Sequence, residues 1–305
     1  MSYDLITVGR VTMDLFAQDV GAPFEEVTGF NTSVGGSPTN VAIASARLGS
    51  RPIAFTGVGD DLVGDYVLRY LRDEGVGVDH VARKTGKRTA LAMVAIQPPD
   101  RFPLTFYRED PADIHLTLGD AAALPFDQVA MLLLSGNAFS RGTCADAARF
   151  CAERGASAGA TVYMDLDLRP TEWSALTGYS RAIRQMLPLV DVLMGTEEEY
   201  YAALAPDPDA VVWGQALRAS ELQLLEPLLD ELVVDSVVET IIVKRGAQGA
   251  TVVSSGERCD VPGFVVESVN TVGAGDAFAA GLMHSRLGGR DWHESVRYAN
   301  ACGAI

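Results

Sequence analysis

The sequence predicts an α/β fold, a mostly parallel sheet covered by helices, accompanied by a second, smaller sheet. Short apolar runs of strand length recur along the chain, and helix-length segments separate most of them. Three further strand-like segments in the first third of the chain break that rhythm. The 305 residues, 48% of them apolar, can bury one large core. A single domain over residues 1–305 is therefore expected.

The apolar runs are Leu5 to Val8, Ile53 to Gly57, Ala130 to Ser135, Thr161 to Leu166, Val190 to Met194 and Thr240 to Val243. Strands covered on both faces read as continuous apolar runs, and intervening helices make the connections parallel. Residues 63–74 have helical spacing, with Val67, Leu68 and Leu71 on one face and Gly75 as the stop. Glu25 to Ser33, Thr89 to Gln97 and Pro103 to Arg108 mix polar and apolar residues, and no long helix fits between the last two. They are expected to form a small antiparallel sheet drawn from residues 11–34 and 87–110. Over the carboxyl ends of the main strands, such a sheet would be a lid that excludes water. The alternative is an antiparallel extension of the main sheet. The chain shows no internal repeat or low-complexity linker, and Pro206 to Pro208 reads as a turn before a helix.

Composition narrows the function classes. A formal charge of -16 argues against nucleic-acid and anionic-membrane partners, which require clustered Lys and Arg. No stretch approaches the about 18 to 20 apolar residues that span a bilayer, and Met1-Ser2-Tyr3-Asp4 does not begin a signal peptide. A cytoplasmic protein is expected. Cys144, Cys151, Cys259 and Cys302 form no C-x-x-C pair and read as small buried hydrophobes. His293-Glu294 has Arg297 where a zincin helix carries its second histidine, so no histidine metal site is expected. A protein this acidic that takes an anionic ligand must compensate locally, through backbone amides, helix N-termini, a few basic side chains and a divalent cation.

The strongest chemical signal runs from Val269 to Gly281, where Gly273-Ala274-Gly275-Asp276 opens an apolar helix. Glycines let N–H groups approach an anion, and at a helix N-terminus the macrodipole adds to their pull on a phosphate. Asp276 would stand beside that phosphate, placed to take a proton from an incoming hydroxyl. An ordinary carboxylate at a helix start is the alternative. The third glycine of a dinucleotide fingerprint is missing, which argues against a nicotinamide-dependent dehydrogenase. A Walker A loop is missing too, since Gly86-Lys87 is followed by Arg88 and Val81 stands where the first glycine belongs. The second signal is Gly9-Arg10-Val11-Thr12-Met13-Asp14 with Val34-Gly35-Gly36-Ser37-Pro38-Thr39-Asn40. A carboxylate, a close backbone and an amide side chain can bind sugar hydroxyls. A plain turn with Ser37 as helix N-cap is the alternative.

Together these elements resemble the ribokinase-like, or PfkB, carbohydrate kinases, and the resemblance runs over nearly the whole chain. It implies a ribokinase-like three-layer α/β/α sandwich with a mostly parallel central sheet and a small β-sheet lid. It also implies that ATP and Mg2+ are used to phosphorylate a sugar. By resemblance, Asp14, Gly35, Gly36 and Asn40 bind the sugar, and Gly273, Ala274, Gly275 and Asp276 form the anion hole and base. Gly195-Thr196-Glu197-Glu198-Glu199 is similar to the family's Asn-x-x-Glu element, with Thr196 in place of asparagine and Glu199 reaching Mg2+ through water. Thr196, Lys244, Gly246, Gly249, Gly273, Gly275 and Asn300 are then expected around the nucleotide. Asn270 stands where many members carry aspartate. A monovalent-cation site and a homodimer through the lid are further implications. The apolar pattern of residues 300–305 has no cap, so the element walling the adenine side is expected to be short.

Two arginines bear on the substrate: Arg108 in Tyr107-Arg108-Glu109-Asp110-Pro111-Ala112-Asp113, and Arg169 in Asp165-Leu166-Asp167-Leu168-Arg169-Pro170. Arginine forms planar two-pronged hydrogen bonds to carboxylates and phosphates. If both face the cleft, one can hold a sugar-acid carboxylate while the other steadies the phosphate in transfer. An ordinary strand charge is the alternative for Arg108. Both segments resemble the branch of the family acting on keto-deoxy sugar acids. The implied substrate is 5-dehydro-2-deoxy-D-gluconate of myo-inositol breakdown, with 2-keto-3-deoxygluconate and fructose-like sugars as alternatives. Asp276 is expected to need no raised pKa, because in a loose transition state the hydroxyl proton leaves late, and a helix N-terminus favours its ionised form. A non-catalytic sugar-acid or nucleotide sensor is the alternative of another class, although Gly273, Gly275 and Asp276 are all retained.

Overall fold

The computed structural model describes residues 3–97, 103–210, 215–234, 238–267 and 271–305. Along the chain the strands are β1 (Leu5–Val8), β2 (Thr12–Ala17), β3 (Phe30–Gly35), β4 (Pro52–Phe55), β5 (Gly57–Gly59), β6 (Ala82–Lys84) and β7 (Leu91–Val94). They continue with β8 (Leu104–Tyr107), β9 (Met131–Ser135), β10 (Thr161–Asp165), β11 (Val192–Thr196), β12 (Thr240–Lys244), β13 (Ala250–Ser254) and β14 (Glu257–Val261). The α-helices are α1 (Ser37–Arg47), α2 (Leu62–Asp73), α3 (Leu118–Ala122), α4 (Cys144–Ser157), α5 (Leu176–Met186), α6 (Glu197–Leu204), α7 (Ala219–Val234), α8 (Ala274–Leu287) and α9 (Trp292–Gly303).

The large sheet has the order β14-β13-β12-β11-β10-β9-β1-β4, parallel from β4 to β12 and closed at one edge by antiparallel β13 and β14. Side chains alternate between its faces, and both faces are buried. Ile6, Val8, Leu132 and Leu134 pack in one core with residues of α4 to α7. Leu5, Met131 and Leu133 point the other way, into a core with α1, α8 and α9. That is why the runs read as continuous rather than alternating. Only the run Ile53 to Gly57 divides: β4 ends at Phe55, and β5 leaves the sheet to pair with β6. Asp61 starts α2 by accepting from the Gly64 amide at 2.7 Å, and Val67, Leu68 and Leu71 are buried as their spacing predicts.

The lid sheet has the order β3-β2-β7-β8 and is mixed rather than purely antiparallel. β2 and β7 run parallel, with Met13 opposite Leu91, because the chain makes a long excursion through the body of the protein between them. β2 itself was not among the strand-like segments, and of Glu25 to Ser33 only the second half becomes strand. Its residues are half-buried, so no clean alternation marks it. Because β1 passes through Gly9 and Arg10 directly into β2, the lid hangs from the carboxyl end of the main sheet.

Candidate active site

Gly273 precedes α8 in the left-handed conformation, φ 86°, a turn that glycine makes without strain. The Ala274 amide is taken by the Thr271 carbonyl at 3.2 Å, so it is not the open donor that the motif suggested. The Gly275 and Asp276 amides have no partner among the described residues and are left to meet an anion. Asp276 lies one residue on. Its Oδ2 accepts from Asn40 Nδ2 at 2.8 Å. Burial in the cleft wall pushes its pKa up to about 6, helped by Asp167 and Asp165 and opposed by Asn40 and Ser37. Loss of water thus outweighs the helix terminus, which favours the ionised form.

The second sequence element forms the facing wall. Gly36 has φ 98°, and a Cβ there would lie 2.4 Å from the Arg10 carbonyl oxygen, so both conformation and space demand glycine. Gly36, not Ser37, occupies the N-cap position of α1. Asp14 packs against Gly35 and accepts from the Thr12 hydroxyl at 2.5 Å. Burial raises its pKa, and the Thr12 hydrogen bond opposes the rise.

Between these walls, the carboxyl ends of β10, β11 and β12 carry a charge network. Lys244 Nζ sits 2.9 and 3.0 Å from the two oxygens of Asp165, and 3.7 Å from where a Cβ on Gly275 would be. Burial works to lower the Lys244 pKa, but Asp165 and Glu199 outweigh it and leave it raised. Asp167 is held at φ 34°, uncommon for a residue with a side chain, by the Ser135 hydroxyl at 2.6 Å and by its own amide donating to Asp165. Its other oxygen pairs with Arg169 at 2.9 Å, and the Arg169 side chain remains 42% exposed toward solvent. Sequence reasoning singled out Asp165-x-Asp167-x-Arg169 for the arginine alone and missed the Lys244–Asp165 pair, whose partners lie 79 positions apart.

Two expected site residues have other work. Thr196 caps α6 in a reciprocal capping box with Glu199 and does not line the nucleotide cleft. Glu199 accepts from the amides of Thr196 at 2.8 Å and Leu168 at 3.0 Å, and burial raises its pKa. Its two oxygens thus lock the β10 and β11 turns together, each keeping one lone pair for water. Arg108 is also corrected. It is 5% exposed, and its two terminal nitrogens meet the two oxygens of Asp113 at 2.9 and 3.1 Å. Its fork is closed on a protein carboxylate rather than open to the cleft.

A cleft of about 500 Å³ lies beside the Gly275 amide, lined among others by Lys244, Gly246, Gly249, Phe264, Val266 and Asn300. Asn300 ties α9 to the loop after β14 by donating to Val261 O at 3.0 Å. Apolar walls with a lysine and open backbone at one end suit a base with phosphates. Phe264 to Val266 carried no signal in the sequence. No three His, Cys, Asp or Glu residues converge as metal ligands among the described residues. Asn270 lies outside the described residues.

The profile of the pfkB family carbohydrate kinases matches residues 3–305, and the chain belongs to that family. A 5-dehydro-2-deoxygluconokinase of Shouchella clausii (strain KSM-K16) is 30% identical, with 99% of this chain and 89% of the relative aligned. The crystal structure of a PfkB protein from Polaromonas sp. JS666 is similar with a TM-score of 0.81 and 27% identity, covering 100% of this chain and 95% of that one. Fructokinase with bound ATP from Xylella fastidiosa shares the fold, with a TM-score of 0.81 and 23% identity over 100% of this chain and 92% of that one.

Proposed function

We propose that this carbohydrate kinase transfers the γ-phosphoryl group of ATP to the primary hydroxyl of a keto-deoxy sugar acid, 5-dehydro-2-deoxy-D-gluconate of myo-inositol breakdown. The observation that carries the chemistry is Asp276, a carboxylate with a pKa of about 6 beside the open Gly275 amide and hydrogen-bonded to Asn40. Such a group is ionised at neutral pH and basic enough to take a hydroxyl proton. Asn40 and Asp14 orient the sugar, and Asp276 accepts the proton from the attacking oxygen. The Gly275 amide, Lys244 and Arg169 face the charge that moves onto the phosphoryl oxygens. Mg2+ would supply charge neutralisation on the phosphates, with Glu199 and Asp165 the nearby carboxylates that its waters could reach. Nucleotide and sugar thus meet at the start of α8, between the cleft beside Gly275 and the wall that carries Asn40.

The acid substrate is supported by the named activity of the Shouchella relative and by the arginines gathered under the lid. The cytoplasm is the compartment that supplies ATP, and no helix among the described residues is long and apolar enough to cross a membrane. β8 leaves Leu104, Phe106 and Tyr107 exposed at the edge of the lid, a surface suited to pairing with a second copy. A coupled ADP-release assay with Mg·ATP tests the assignment against 5-dehydro-2-deoxygluconate, 2-keto-3-deoxygluconate, fructose and ribose. A preference of more than about tenfold in kcat/KM for the first is expected, the scale of one well-placed polar contact. Preference for another sugar would move the substrate, and binding without turnover would favour a sensor.

A further inference from the structure

Beneath the lid, three guanidinium groups converge where two carboxylates answer them. Arg108 takes both oxygens of Asp113. Glu172 gives Oε2 to Arg141 at 3.2 Å, while its Oε1 lies 3.5 Å from Arg108 and 3.6 Å from Arg10, too far for a good hydrogen bond to either. Arg10 is therefore left without a hydrogen-bonded carboxylate, although it is only 7% exposed and both Asp167 and Glu172 act on it through space.

Its remaining neighbour is Asn137, just past the end of β9. With the amide oxygen turned toward the cation, the three guanidinium nitrogens lie 2.5, 2.6 and 2.8 Å from it. Distances so nearly equal put the oxygen over the face of the planar group, not in the plane where the N–H bonds point. Among the described residues, no hydrogen bond lies in the plane of the Arg10 guanidinium. Burial holds its pKa down to about 10; Asp167 and Glu172 oppose that shift, and Arg108 and Arg169 reinforce it. An arginine sealed away without a full counter-charge behaves in this way.

The position of Arg10 connects it with the chemistry. Its carbonyl abuts Gly36, in the turn that leads to Asn40 and hence to Asp276. A keto-deoxy sugar acid carries its primary hydroxyl at one end and its carboxylate at the other. With the hydroxyl at Asp276, the far end needs a cation whose fork is open. Arg108 is closed on Asp113 and Arg169 is paired with Asp167, which leaves Arg10.

We infer that Arg10 receives the substrate carboxylate and sets the preference of this site for a sugar acid over a neutral sugar. The inference rests on the sugar-acid reading above and replaces Arg108 in that role. It accounts for the unpaired fork: a bound carboxylate would meet the N–H groups that Glu172 and Asn137 leave without an in-plane partner.

The test compares the full-length protein with Arg10→Gln and Arg10→Lys. It measures kcat and KM for 5-dehydro-2-deoxygluconate and for fructose, calorimetric binding of the acid without ATP, and melting temperature. In Arg10→Gln, KM and Kd for the acid should rise about 30-fold, the scale of a charge-assisted pair. The acid-to-fructose ratio of kcat/KM should fall more than about tenfold, a change that a merely structural arginine would not produce. Arg10→Lys, which keeps the charge but not the fork, should recover only part. If the wild type prefers the acid and both variants keep that ratio, Arg10 is not the carboxylate ligand, and the sugar-acid reading stands without it. If the wild type does not prefer the acid, that reading fails and takes the role of Arg10 with it. Should Arg10→Gln not fold, Arg10→Lys decides: a lysine enzyme with unchanged acid KM and ratio overturns the inference.

Discussion

Asn40 Nδ2 donates to Asp276 Oδ2 at 2.8 Å, joining residues 236 positions apart across the cleft. One hydrogen bond therefore connects the segment proposed to hold the sugar with the helix proposed to face the phosphate. It also favours the ionised form of a carboxyl that burial pushes toward neutrality. In the proposed reaction, the amide that orients the base is also the one that contacts the sugar.

Replacing Asp276 by Asn keeps the shape and removes the proton acceptor. A fall in kcat of about 10²- to 10⁴-fold is expected, the usual contribution of a positioned base. Calorimetric Kd for ATP should change little, since the nucleotide cleft is lined by other residues. Residual turnover near wild type would remove Asp276 from the role of base.

The pKa of about 6 gives a pH dependence with a definite sign. The folded protein holds a proton on Asp276 that the unfolded chain, with its ordinary carboxyl, releases at lower pH. Stability is thus lost as pH rises from about 4 to about 6. Asp276→Asn escapes that loss and should melt higher than wild type at pH 7.5, with the gap closing toward pH 4. In activity the order reverses: kcat/KM of the wild type should climb through an acid limb near pH 6, as a base that must be ionised requires.

Asn40→Ala removes a hydrogen bond made to the charged form of Asp276. The acid limb of the rate profile should move to higher pH, and the sugar KM should rise. An unchanged limb with a raised KM would leave Asn40 as a sugar ligand that does not tune the base.

What was legible in the sequence followed physical range. β1, β9, β10 and β12 were readable to within a residue because both faces are buried and the signal is local hydrophobicity. The Gly273 and Gly36 turns were readable because their geometry demands glycine. β2 was not, since its half-buried residues obtain their order from pairing with β3 and β7. Arg108 shows the same limit: its sequence neighbourhood suggested a ligand contact, while its partner Asp113, five residues on, settles the geometry through the fold. Lys244 and Asp165 meet only because β10 and β12 flank β11.

Lys244 is the cation among Asp165, Glu199 and Asp276, all of which act to raise its pKa. Lys244→Met should leave buried carboxylates uncompensated and cost about 3–5 kcal/mol of stability. Urea unfolding measures that loss, and bound nucleotide should rescue less of it than in wild type if the ammonium also faces phosphate. Stability within about 0.5 kcal/mol of wild type would show the network to be solvated.

Arg108 and Asp113 form a two-pronged pair whose side chains are 2% and 1% exposed. Asp113 also accepts from the Val11 amide at 3.1 Å, which fixes the start of β2 and so the hinge of the lid. Arg108→Ala should therefore act first on stability, by about 3–5 kcal/mol, because Asp113 is left charged and buried. Asp113→Asn should cost less, since an amide still accepts from Val11 and from the guanidinium. Removing both charges in Arg108→Met with Asp113→Asn should cost less than the two single losses combined, giving a coupling of about 1–3 kcal/mol in a double-mutant cycle by urea unfolding. Additive losses would mean that the pair is not coupled. If Arg108→Met with Asp113→Asn folds and its KM for the sugar acid stays near wild type, Arg108 serves as scaffold. A large rise in KM with stability intact would return it to the substrate.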